Sequence, residues 1–137
     1  MTNAQSIQFE IEQILFRWAW LVDHGPHDQI ASLFTDNGTF DMPGTLWKGR
    51  EELQIGFSRR SATRTSRHVI SNIRVRMEGV ARALVTGLQT VYRHDGPPPH
   101  PSLAVSVFDI DHIFERDDEK WRMETLRLTR RFVAPAQ

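Results

Sequence analysis

The chain contains no cysteine, which rules out a thiolate nucleophile, thiolate metal ligands and a disulfide framework. Lysine is nearly absent: Lys48 and Lys120 are the only two among 17 basic residues, and all the others are arginine. An excess of charge is missing too, since 17 acidic residues balance the 17 basic ones. No overall field therefore draws the chain toward nucleic acid or an anionic membrane, and neither is expected as a partner. Long apolar runs are lacking as well. The longest, "WAWLV" at Trp18–Val22, falls far short of the roughly 20 residues a membrane helix needs. The opening "MTNAQSIQFEIEQ" has neither the basic start nor the apolar middle of a secretory signal, so the cytoplasm is the expected location.

What is present fits one domain spanning residues 1–137, large enough for a core and a small cavity. Ile7, Ile11, Ile14, Trp18 and Val22 recur every three or four residues, which predicts an amphipathic helix stopped by Gly25-Pro26. A short second helix is expected over about 27–34, a turn at "TDNG", and short strands at "TFDM" and "TLW". Leu53, Ile55 and Phe57 in "GREELQIGFSRRS" point to a third helix.

After Ala62 the texture changes to four long β segments at about 65–78, 80–93, 102–116 and 119–133. "MEGVA" and "RDDEK" read as tight turns, whereas "HDGPPPHP" is a rigid loop that its prolines keep out of any ladder. Helices first and antiparallel strands afterward predict an α+β fold with the helices on one face of the sheet. Along the segment from Ser102, Ala104, Ser106, Phe108, Ile110, His112 and Phe114 share one face. Leu103, Val105, Val107 and Ile113 leave the other partly apolar. That second face needs a cover, so a homodimer through the outer sheet face is expected.

Six histidines carry the search for chemistry. "DHGPH" sets Asp23 beside His24 and His27, but Pro26 breaks the register that would bring both rings to one face, and no metal site is expected. The more specific combination is Asp23, ending the first helix, with His68, early in the first long strand. A carboxylate bonded to one imidazole nitrogen fixes the tautomer and leaves the other nitrogen free to take a proton. Trp18, Trp20, Trp47 and Trp121 read mainly as core, with Trp18 and Trp47 placed best for a pocket wall. His112, between Ile110 and Phe114, reads as a wall of pocket or core. The four arginines of "RRSATRTSR" read as a solvated helix end and loop.

The segments "FRWAWLVDHGPHDQIASLFTDNGTFDMPGTLWKGREELQIGF", "RHVISNIRV" and "KWRMETLRLTRRFV", in this order, resemble the SnoaL-like group of the nuclear transport factor two-like superfamily over about residues 7–132. The resemblance implies a cone-shaped roll in which three N-terminal helices pack on a curved antiparallel sheet enclosing a pocket. It further implies a cofactor-independent lyase or isomerase, dehydratase-like, in which Asp23 and His68 form an acid/base dyad acting on a small hydrophobic, cyclic or aromatic substrate. A polyketide-cyclase or epoxide-opening activity, or a non-catalytic role like that of the dioxygenase small subunit, stays open beside it. Through the same resemblance His94 matches a second histidine of scytalone dehydratase, and Arg127 an arginine that some members aim into the pocket. Trp18 departs from the pattern, standing where bile acid dehydratases carry a tyrosine. An indole donates a hydrogen bond but supplies no proton as an acid.

Overall fold

The computed structural model describes residues 2–118 and 120–135. Helix α1 spans Asn3–His24 and opens on a capping box in which the Thr2 hydroxyl accepts from the Gln5 N–H while the Gln5 side chain accepts from the Thr2 N–H. It ends because Gly25 adopts φ +77°, a conformation open to a residue without Cβ, and donates its N–H to the Leu21 carbonyl. Ile7, Ile11, Leu15, Trp18 and Val22 are buried along one stripe. The stripe runs through Leu15 rather than Ile14, which is only partly buried.

Strands β1 (Phe34–Met42), β2 (Thr45–Lys48), β3 (Arg64–Met77), β4 (Arg82–Asp95), β5 (Ser106–Asp117) and β6 (Lys120–Val133) form one sheet in the order β2-β1-β6-β5-β4-β3. Helix α2, Gly49–Phe57, follows β2. The helices pack on the concave face of this curved sheet, which does not close into a barrel, and the buried residues of both layers make one core. The α+β cone expected from the sequence is the observed architecture.

Four details differ. The second helix is replaced by two 3₁₀ turns, His27–Gln29 and Ala31–Leu33, with Ile30 fully buried between them. Too few residues separate Pro26 from β1 for a longer helix to propagate. The "TDNG" turn is a bulge inside β1, where the pairing with β6 shifts register between Phe34 and Thr39. Arg50 holds this bulge, donating to the Phe34 carbonyl at 2.7 Å and pairing with Asp36 at 2.8 Å. The sheet is mixed rather than antiparallel throughout, because β1 runs parallel to β6. Finally, β5 begins at Ser106, so Ala104 lies outside it. The turn read at "RDDEK" includes Glu119, which lies outside the described residues.

On the convex face Val69 and Phe132 remain about half or more exposed. Among the described residues no helix is long and apolar enough to cross a membrane.

Candidate active site

Strand alternation builds the site. Arg64, Ser66, His68 and Ile70 share one face of β3, opposite Asp95, Arg93, Val91 and Gln89 of β4. Val91 in turn faces Ser106, Gln89 faces Phe108, and Phe108 faces Arg130 of β6. This concave row and the helices enclose a cavity of about 290 Å³, near the lower end of what small-molecule sites offer. Trp18 and Val22 of α1, Phe40 of β1, Trp47 of β2 and Phe57 of α2 supply its apolar wall. The rings interlock: Trp47 stacks on Phe40 with centroids 5.2 Å apart and meets Phe57 edge-on at 5.1 Å.

At one wall Asp23 meets His68. The Asp23 side chain is only 5% exposed, and its Oδ1 lies 2.6 Å from His68 Nδ1. Its Oδ2 accepts the backbone N–H of His68 at 2.8 Å, and the Ser66 hydroxyl donates to Oδ1 at 2.9 Å. Arg60 donates in turn to the Ser66 hydroxyl. An anion in the last turn of a helix faces the negative end of the helix dipole, so this carboxylate needs outside support. Burial alone raises the Asp23 pKa; the hydrogen bond and charge of His68, with the His68 and Ser66 donors, outweigh burial and hold it below the ordinary carboxylate value. As an ionised acceptor Asp23 selects the His68 tautomer that carries its proton on Nδ1. Nε2 is left for a molecule in the cavity, which His68 lines. The Trp18 ring packs edge-on against the imidazole at 5.6 Å, limiting its swing.

Of the residues singled out in the sequence, Asp23, His68, Trp18 and Trp47 come together here. Three do not. His112 is fully buried in the core away from the cavity, its Nδ1 accepting the Arg127 N–H at 2.9 Å, and burial above all, with a smaller contribution from the charge of Arg127, pushes its pKa down to about 3. Arg127 points elsewhere, pairing with Asp41 at 3.2 Å across the β1–β6 junction, because its position on β6 has the opposite parity to Leu128 and Arg130, which line the cavity. His94 stacks on His100 at 5.3 Å and lies outside the lining, since Arg93, one position earlier, takes the inward parity. Trp20, read as core, is 60% exposed and stacks on His24.

The lining also holds residues the sequence reading passed over. Gln89 is almost fully buried there, and Ser66, equally buried, stands behind the wall on Asp23. Arg59, Arg60 and Arg64 of "RRSATRTSR" line the cavity instead of facing solvent only, joined by Arg93 and Arg130. A signal existed: Arg64 and Ser66 lie four and two positions before His68, so period-two alternation puts all three on one face.

The fold is shared with solved structures of low sequence identity. An NTF2-like protein with a cystatin-like fold from Novosphingobium aromaticivorans matches with TM-score 0.80 and 18% identity, over 93% of this chain and 84% of that one. ActVI-ORFA from Streptomyces coelicolor matches with TM-score 0.79 and 14% identity, over 90% and 97%. A "Putative Scytalone Dehydratase" from Novosphingobium aromaticivorans matches with TM-score 0.79 and 16% identity, over 100% and 93%. No curated protein matches the sequence significantly. The profile of the SnoaL-like domain, however, matches residues 7–127, and the chain belongs to the SnoaL-like domain family.

Proposed function

We propose that the protein is a cofactor-independent lyase or isomerase whose general base is His68, oriented and charge-compensated by Asp23. The observation that carries this reading is the buried 2.6 Å contact between the two side chains at the wall of an aromatic-lined cavity. For a cyclic β-hydroxy ketone the steps are these. Nε2 of His68 takes the proton from the carbon between carbonyl and carbinol, and the released electron pair forms the new carbon–carbon double bond. The carbon–oxygen bond breaks, and the departing hydroxide takes up a proton, held until then on the imidazolium, and leaves as water. Asp23 stabilises the imidazolium while it exists. Similarity to a structure bearing the scytalone dehydratase name favours elimination within this class.

The test is turnover of a panel of β-hydroxytetralones, neutral and ring-carboxylated, followed by the ultraviolet absorbance of the naphthol product. His68→Gln and Asp23→Asn are expected to lower kcat/KM by about 100-fold to 10,000-fold while the fold, read by circular dichroism, is kept. Wild-type turnover in either variant refutes the dyad. A role in holding a ligand without turnover is the second reading, favoured by Trp18, which provides no acid beside His68. Tight binding of the panel with no conversion by wild-type protein selects it.

A further inference from the structure

We propose that the open end of the cavity binds a carboxylate, so that the substrate of the Asp23–His68 pair is an aromatic or alicyclic organic acid; this rests on the function proposed above and narrows its substrate class. The reasoning starts from parity. Arg64, Arg93 and Arg130 occupy inward positions of three strands at one end of the sheet, paired with Asp95, Ser66 and Phe108 respectively. Inward positions suit apolar side chains, and a guanidinium there gives up part of its hydration. Arg64 is half-buried there, while Arg93 and Arg130 keep much of their surface exposed at the rim. Arg59 and Arg60, following α2, complete a collar of five cations lining the cavity.

The collar is under-neutralised. Among the described residues no aspartate or glutamate lines the cavity. Asp95 approaches Arg64 only to 3.6 Å with its own side chain 64% exposed, and Asp23 is committed to His68. Burial, then the charges of Arg64 and Arg130, lower the Arg93 pKa against the opposing charge of Asp95, and burial also lowers that of Arg60, where the nearby Asp23 charge opposes those of Arg64 and Arg93. Guanidinium groups are planar forks that match a carboxylate with paired hydrogen bonds, and an anion here relieves repulsion already present.

The interior requires the rest of the molecule to be a ring system with some polar substitution. Its wall is aromatic, and Arg130 itself lies over the Phe108 ring at 5.2 Å. Two lining residues, each only 2% exposed, carry buried polar atoms without a partner among the described residues: the Trp18 indole N–H and the Gln89 side-chain oxygen. A small side-chain shift would offer one donor and one acceptor to polar substituents of such a ring.

Binding without chemistry tests the claim. Naphthoate and naphthylmethanol, alike in shape and different in charge, are titrated into wild-type protein, His68→Gln and the Arg64→Gln/Arg93→Gln double variant by calorimetry at low and high salt. Wild type and His68→Gln are expected to prefer naphthoate by about tenfold or more at low salt, the preference shrinking as salt rises. The double variant, with its melting curve recorded to show that it folds, is expected to lose that preference while binding the alcohol as before. Equal affinity for the two probes in wild type, or a preference that survives in the double variant, overturns the proposal. So does a preference that vanishes in His68→Gln, because the anion would then sit on the imidazole. Since no turnover is measured, a failed dyad leaves this result readable.

Discussion

Acidifying the protein should unfold it through a histidine remote from the site. His112 is fully buried on β5 and bound as a neutral acceptor by the Arg127 N–H, with a pKa pushed down to about 3. In the unfolded chain the same imidazole takes up a proton below about 6.5. The folded state thus binds fewer protons between these values, so this stabilisation is complete above pH 6.5 and is lost as pH falls toward 3. From the two pKa values His112 alone removes about 1.4 kcal/mol per pH unit over that window, or about 3 kcal/mol by pH 4.5. Against a typical domain stability of about 5–15 kcal/mol that is a large share.

His112→Asn supplies the control, because its amide oxygen can accept the same N–H but does not titrate. Urea denaturation of wild type and variant, followed by tryptophan fluorescence at constant ionic strength from pH 7.5 to 4.5, should show the variant less stable at neutral pH by about 1–3 kcal/mol. The gap should then close, or reverse, in acid. Parallel loss of stability in the two proteins refutes the assignment of the acid sensitivity to His112.

Gly56 lies against the pocket wall, where an added Cβ would sit 2.5 Å from ring atoms of Trp47. Gly56→Ala should therefore push that indole off Phe40 and Phe57, cost about 1–3 kcal/mol in a melting experiment, and weaken binding of naphthalene-sized probes. Ser66→Ala removes the hydroxyl that links Arg60 to Asp23. It should lower stability by about 1–3 kcal/mol. It should also raise the Asp23 pKa toward its ordinary value, which carbon-13 chemical shifts of the carboxyl across an acid titration would record.

Local chemistry was legible where the sequence carries its own punctuation. Gly25-Pro26 ends α1, and its three- and four-residue apolar spacing shows which stripe is buried. Alternation locates the long strands to within a few residues. The parallel contact of β1 with β6 could not be read this way, since periodicity says which face of a strand is buried and nothing about its neighbour. The bulge at Thr35–Gly38 carries the same residue types as a turn. The arginine collar was hidden because its members come from β3, β4, β6 and the segment after α2, and only assembled strands bring them to one cavity. His112 shows the converse: its inward parity was readable, but the depth of its burial depends on what packs above it.

The Asp23 carboxylate grips both the ring and the main-chain N–H of a single residue, and thereby fastens the tail of α1 to β3, which Gln8 also joins through the Ile73 carbonyl at 3.1 Å. Carboxylate and imidazole are consequently not two loose side chains that can drift apart by rotamer changes; they separate only when the helix peels from the strand. Heat or denaturant should extinguish the proposed chemistry in one step with that peeling, so that residual activity would gauge whether this seam is intact.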